Sequence, residues 1–260
     1  MRGFLRNFYV KFLPPRVRQQ VRLFLATRKG FQHPELIEPQ TGGRILVLAP
    51  HPDDEVIGCG GTLYKHHLAG GEITSVYMTD GSKGCDNSIS EEQCAAIRRE
   101  EALQAGKVIG IHRQIFMENS DMGLNNSKKN SMQLLDIIRQ VRPDVVYLPS
   151  FMDHHPDHQA TNDVFISAMK RHKPDMMCYA YEIWTPFSPN CMVDITACSD
   201  IKIEALNKFK SQTKRFNVVG ASLGLMKYRA VMYLTKDGYV ECFYRCNVNE
   251  YIRLWKVVTH

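Results

Sequence analysis

From Arg44 to Pro149 short unbroken apolar runs alternate with longer stretches whose apolar residues recur at helical spacing. Arg44-Ile-Leu-Val-Leu-Ala49 is the first run, the pattern of a strand buried on both faces. Thr62 to Ala69 then reads as a helix stopped by Gly70-Gly71, and Ile73 to Met78 as a second strand ending at Thr79-Asp80-Gly81. Ser90-Glu-Glu-Gln93 has the spacing of a capping box, and Ala95, Ile97, Ala102, Ala105 and Val108 continue an apolar stripe to Gly110, which predicts the second helix. Gln114 to Met117 reads as a third strand, Ser131 to Val141 as a third helix closed by Pro143, and Asp144 to Pro149 as a fourth strand. Beyond Met176 come strand-like pieces, Met176 to Trp184, Ala230 to Leu234 and Val240 to Cys246, with a helix at Ile201 to Phe209.

This alternation predicts an α/β domain of Rossmann-like type, a mainly parallel sheet with helices on both faces and a strand-rich C-terminal part. Such sheets bind ligands beyond the carboxyl ends of their strands, where strand order reverses. Two polar clusters obey that rule. His51-Pro-Asp-Asp-Glu55 follows the first strand and Asp153-His-His-Pro-Asp-His158 follows the fourth. In a doubly wound order those strands are neighbours, so clusters about a hundred residues apart meet in one crevice.

Composition agrees with one globular domain: 260 residues, 44% hydrophobic and 23% charged. The net charge of +6 is unevenly held. Residues 1 to 34 contain eight Lys or Arg (Arg2, Arg6, Lys11, Arg16, Arg18, Arg22, Arg28, Lys29) and no Asp or Glu, so the remainder of the chain stands at −2. The basic character therefore belongs to a segment, 1–35, and not to the domain, 36–260, which argues against a nucleic-acid partner. Its apolar residues Phe4, Leu5, Phe8, Tyr9, Phe12 and Leu13 recur at helical spacing before Pro14-Pro15. Such a basic amphipathic segment suits peripheral contact of residues 1–30 with an anionic membrane, or packing on the domain or on a second subunit of a homo-oligomer. With no spanning run and no secretory pattern, the expected location is cytoplasmic, peripheral at the inner face of the membrane if that contact is made. The eight cysteines include no CxxC, so reduced thiols are expected, and Cys242 and Cys246 lack the second pair of ligands a zinc ribbon needs.

The clusters carry the chemistry. Imidazole and carboxylate together suit a borderline divalent ion, and a catalytic zinc site uses three protein ligands and keeps one position open. His51 and Asp54 leave one strand in a single turn, and His158 opens a helix after the other, so these three are the candidate ligands, with Asp53 free to act beside them. Without a cation, two such clusters would concentrate costly buried charge. His66, His67, His112, His172 and His260 stand alone and read as structural. Gly58, Gly60 and Gly61 do not form a dinucleotide fingerprint.

His51-Pro-Asp-Asp-Glu-Val-Ile-Gly-Cys-Gly-Gly-Thr62 with His155-Pro-Asp-His158 resembles the zinc-dependent, LmbE-like de-N-acetylase family, which includes the N-acetylglucosaminyl-phosphatidylinositol deacetylases and the mycothiol and bacillithiol pathway deacetylases. The likeness spans roughly residues 43 to 215 and includes Thr79-Asp80-Gly81, Arg98 to Glu101, Asp121, Val193-Asp-Ile195, Lys202, Ala205 and Ser211-Gln212. It implies Zn²⁺ held by His51, Asp54 and His158, with Fe²⁺ or Co²⁺ able to use the same ligands. It further implies Asp53 as general base and a protonated His155 at the reacting carbonyl oxygen. Asp157 then orients a neighbouring imidazole. Arg98 is expected to contact substrate hydroxyls or phosphate, the alternative being an intrahelical pair with Glu101. Asp121 and Asp80 are expected in the substrate pocket, Asp80 having a turn role as its alternative. The implied reaction is hydrolysis of the N-acetyl group of a GlcNAc-type sugar, glycan-, lipid- or nucleotide-linked. The alternatives are an amidase for another amide, such as a thiol conjugate, and a non-catalytic sugar- or membrane-binding module.

Overall fold

The computed structural model describes residues 33–86, 88–172 and 174–259, together with Pro14, Val17, Arg18, Val21 and Arg22. Most of the basic segment, and with it the membrane contact expected of residues 1–30, lies outside the described residues. One eight-stranded sheet forms among those described, in the order β1-β7-β8-β6-β5-β2-β3-β4. Its strands are β1 Glu35–Leu36, β2 Arg44–Ala49, β3 Glu72–Thr79, β4 Arg113–Asn119, β5 Val145–Pro149, β6 Met177–Tyr181, β7 Cys191–Asp194 and β8 Val240–Asn247. Strands β2 to β6 pair in parallel, and β8 runs antiparallel between β6 and β7. The helices are α1 Asp54–Leu68, α2 Glu91–Ile109, α3 Lys128–Val141, α4 Pro156–Met169, α5 Ser199–Leu206, α6 Lys210–Thr213, α7 Val218–Leu234 and α8 Val248–Thr259. None of the described helices is long and apolar enough to cross a membrane.

Because strand side chains alternate, β2 feeds two cores. Leu46 and Leu48 join residues of α3, α4 and α8 on one face. Ile45, Val47 and Ala49 join residues of α1, α2 and α5 on the other. The chain runs outward from β2 through β3 to β4, then returns to place β5 on the opposite side of β2. Strand order thus reverses between β2 and β5, the two strands followed by the polar clusters. The α2 capping box forms between Ser90 and Gln93, and the helix closes at Gly110. Its stripe differs in one place from the expected one: Ile97 is exposed and Arg98 is buried.

Helix α1 begins at Asp54, eight residues before the expected start, and breaks at Cys59 (φ −148°, ψ 18°). Gly58 and Gly61 weaken a helix in isolation. Here each lies where a Cβ would meet a neighbour, Tyr181 at 2.3 Å and Ile195 at 2.7 Å, so packing overrides propensity. An unbroken helix would send the Gly61 amide to the Ile57 carbonyl. Instead Gly61 and Thr62 donate to Glu241 (2.9 and 2.7 Å), and Lys202 Nζ donates to the Ile57 oxygen (2.7 Å). Lys202 and Glu241 pair at 2.6 Å, both buried, so one ion pair bridges the opened helix.

Two expectations are corrected. Ala230 to Leu234 is not a strand but the last turns of α7, whose apolar residues on several faces conceal the helical period. Nor are all eight thiols reduced: Cys85 and Cys94 form a disulfide, and the other six are free and buried. The absence of CxxC did not bear on this pair, because the loop after β3 folds back onto the first turn of α2.

Removing one partner of a buried pair strands the other, so Lys202→Met should cost about 3–5 kcal/mol in urea unfolding. A loss under about 1 kcal/mol would show that the break in α1 does not depend on Lys202. Thiol titration in denaturant should count six thiols before reduction and eight after it, and eight at the outset would rule out the disulfide.

Candidate active site

The end of β2 passes through Pro50 into His51-Pro-Asp-Asp54, and the first turn of α1 starts on Asp54. Asp53 caps that turn at φ 130°, a left-handed value that costs a non-glycine residue about 1–3 kcal/mol. Its surroundings hold it there. The Asp53 amide donates to Glu55 Oε2 (3.1 Å), and its carboxylate faces Arg98 Nη2 at 3.0 Å. Arg98 also donates to the carbonyls of Pro52 and Gly81.

Asp54 Oδ2 stands 3.1 Å from His51 Nδ1 and 3.2 Å from His158 Nε2. The opposite nitrogen of His51 meets Asp157 Oδ2 at 3.1 Å and Asp121 Oδ1 at 3.4 Å. His158 Nδ1 meets Asp153 Oδ2 at 3.2 Å. Ring nitrogens of His51, His155 and His158 lie within 4.8 Å of one another. His51, Asp121 and Asp157 form a second set of that kind, but those carboxylates also accept backbone amides of Lys83, Met122 and Leu124, the arrangement of groups that orient an imidazole.

The donor set fits a divalent ion. Both ring nitrogens of His158 are buried without an aligned hydrogen bond, although carboxylate oxygens stand 3.2 Å away. Two ligands of a tetrahedral zinc, each about 2.0–2.1 Å from it, stand about 3.3 Å apart, close to the Asp54–His158 separation. Charge points the same way. Burial alone would lower the His158 pKa, but Asp54 and Asp153 carry it up to about 9. His51 is likewise raised well above the ordinary histidine value: Asp121, Asp157 and Asp54 outweigh burial. Asp54 is depressed, because the two histidines outweigh its burial. Protons on His51 and His158 thus supply the positive charge that a metal ion would replace.

Burial raises Asp53 to about 7, against the pull of Arg98. Burial and the Asp53 charge raise Glu55 to about 8, and the Tyr77 hydroxyl donates to it at 2.9 Å. His155 caps α4, its Nδ1 accepting the Asp157 amide at 3.3 Å. Burial and the two nearby histidines lower its pKa, so the structure favours neutral His155 with its proton on Nε2 over the expected imidazolium.

A cavity of about 560 Å³ opens above these groups. His51, Asp53, Asp54, Arg98, Asp121 and His155 are in its wall, and Asp157 and His158 lie behind it. Arg98 is spent on Asp53, not on Glu101, which accepts the Ser211 amide (2.8 Å) and hydroxyl (2.6 Å). Asp80 takes its turn role. It accepts the amides of Ser82 (2.9 Å) and Asp121 (3.0 Å) and borders a separate cavity of about 230 Å³. Asp153 and Glu55 were not singled out from sequence, although both stand in the quoted clusters. What betrays them is contact with His158 and with the Asp53 amide, which spacing does not show.

A mainly parallel sheet with a His/Asp centre at its switch point is an arrangement this chain shares with known deacetylases. The family model described as GlcNAc-PI de-N-acetylase matches residues 46–169. The uncharacterized deacetylase YaiS of Escherichia coli is 31% identical over 175 residues, 64% of this chain and 90% of the relative. The structure of N,N'-diacetylchitobiose deacetylase from Pyrococcus horikoshii superimposes with a TM-score of 0.70 at 26% identity, covering 88% of this chain and 92% of that one. The 4-oxalmesaconate hydratase of Pseudomonas putida is also similar, 26% identical over 189 residues, 64% of this chain and 73% of the relative. The chain belongs to the GlcNAc-PI de-N-acetylase family.

Below about pH 9 the metal-free protein holds a proton on His158 that must leave before Nε2 can bind an ion. Zn²⁺ affinity, read by competition with a chromophoric chelator, should therefore rise at least about tenfold per unit from pH 6 to 8. An affinity that is flat with pH would remove His158 from the ligand set.

Proposed function

We propose that this protein is a metal-dependent hydrolase that removes the N-acetyl group from a GlcNAc-type amino sugar, with His51, Asp54 and His158 holding Zn²⁺ or another divalent ion. The observation that carries this reading is Asp53. It is an acid with a pKa near 7, paired to Arg98 and fixed in a strained turn, next to a buried donor set at the floor of a cavity. The sugar assignment is supported by the similarity to the Pyrococcus diacetylchitobiose deacetylase.

When bound, a divalent ion supplies Lewis acidity to the acetamide carbonyl. Asp53 takes a proton from water as its oxygen attacks the carbonyl carbon, a transfer favoured by a base poised near neutral pH. Arg98 keeps that carboxylate in place. Nε2–H of His155 donates to the tetrahedral oxyanion, a fixed dipole aimed where charge develops. Asp53 then returns its proton to the leaving nitrogen as the C–N bond breaks, giving acetate and a free amine. Asp157 and Asp121 orient His51, Asp153 orients His158, and Glu55 fixes the Asp53 backbone.

The test is acetate release from N-acetylated mono- and disaccharides and their conjugates, by parent and Asp53→Asn proteins. The variant should lose about 10²–10⁴-fold in kcat. Its Zn²⁺ affinity should change by no more than a few-fold. Chelation should abolish activity and Zn²⁺ should restore it. Equal turnover by the variant, or water addition to an unsaturated acid without acetate release, would overturn the proposal.

A further inference from the structure

Helix α7 packs Val219, Leu223, Met226, Ala230, Tyr233 and Leu234 on two apolar clusters, yet leaves further large apolar side chains on the face where a surface helix carries charge. Of its seventeen residues only Met226, Arg229 and Ala230 are buried. A polar anchor joins the apolar ones. Arg229 pairs with the buried Glu182 and donates to the Phe187 carbonyl (2.7 Å) and the Tyr233 hydroxyl (3.0 Å). Outward stand Tyr228, Val231 and Met232, 58%, 53% and 55% exposed.

Ala221, Leu225, Tyr228 and Met232 follow at spacings of four, three and four, so they share one stripe of the helix. Its first two members line the cavity and its last two carry the stripe onto the surface. Trp184 and Phe216, both exposed, also line the cavity. Six of the ten exposed large apolar side chains among the described residues, Met122 of the cavity wall included, thus gather on α7 and around the cavity. Apolar clusters of this kind mark interaction surfaces, whereas single exposed side chains do not.

The N-terminal flank is cationic. Lys210, Lys214 and Arg215 precede the helix with no acid between them, and Lys208 before them is paired with Glu204 (3.1 Å). Asp194 and Asp237 nearby are paired with Lys236 (2.8 Å) and Lys227 (3.2 Å). The chain arrives at His33, whose ring meets that of Tyr233 of α7 at 5.6 Å, and residues 1 to 34 carry eight cations and no anion.

We propose that α7 docks in the plane of an anionic lipid bilayer, with Tyr228, Val231, Met232, Trp184 and Phe216 at the headgroup–acyl boundary and the basic flank on lipid phosphates. The helix is not long enough to span, which suits an interfacial position. A second copy of the chain fits less well. A two-fold interface brings the same patch of each subunit together, here with a cationic flank on each side.

The full chain should float with vesicles of phosphatidylcholine containing about 30% phosphatidylglycerol at low salt, and not with phosphatidylcholine alone. Tyr228→Ser/Val231→Ser/Met232→Ser should lower the bound fraction at least about tenfold. These side chains lie outside the cavity, and an unchanged thermal midpoint will show that the variant folds. Flotation is independent of hydrolysis, so this result and the deacetylase reading stand or fall separately. No binding of the parent to anionic vesicles, or equal binding of the triple variant, overturns the proposal. So does a dimer, seen by light scattering, that the triple variant dissolves while neither form binds vesicles.

Discussion

Everything around the site answers to one constraint: histidines and carboxylates from two distant stretches are buried together between the ends of β2 and β5. Ionised groups out of water need partners, and a cluster in which one partner is missing is expensive. His51 and His158 are therefore each flanked by oxygens at both nitrogens, His51 by Asp54 on one side and Asp157 and Asp121 on the other, His158 by Asp54 and Asp153. The carboxylates in turn take backbone amides from the surrounding loops: Lys83 on Asp121, Met122 and Leu124 on Asp157, Trp184 on Asp153. The loops are ordered by the charge they neutralise, and the charge is tolerated because the loops are there.

The same economy explains two buried ion pairs outside the His/Asp cluster. Lys202 and Glu241 occupy the hydrogen-bonding positions vacated where α1 breaks, so the first turn of that helix, with Asp53 and Asp54, can take its own direction. Arg229 and Glu182 fasten α7 to the loop after β6 and leave its apolar side free to form one wall of the cavity and a surface beyond it. Both pairs do what apolar packing cannot. They satisfy backbone or side-chain polar groups at a fixed place, at the cost of being intolerant to loss of one partner.

Much of this was legible in the chain. The apolar run Arg44 to Ala49, the capping box at Ser90 and the pair of clusters are local patterns, and local patterns survive folding because backbone hydrogen bonding and side-chain period act over a few residues. The Asp53–Arg98 pair was less accessible. Its partners lie on different elements, and Arg98 could equally have faced solvent or Glu101 by helical spacing. Asp80 shows the same ambiguity, resolved only when its oxygen meets the Asp121 amide across the loop. Cys85 and Cys94 paired because a loop turned back, which spacing alone does not record.

What the sequence by itself determined is the alternation of strands and helices from β2 to β5, the reversal point and the residue types gathered there, because periodicity and turn chemistry are short-range. What only the tertiary structure decided is which oxygen faces which nitrogen, where α1 breaks, that the segment ending in Ala230 to Leu234 is helical, and which side of α7 is left to the outside. Those outcomes depend on contacts between residues tens to hundreds of positions apart. In each case propensity left two answers open, and long-range packing and charge pairing selected one of them.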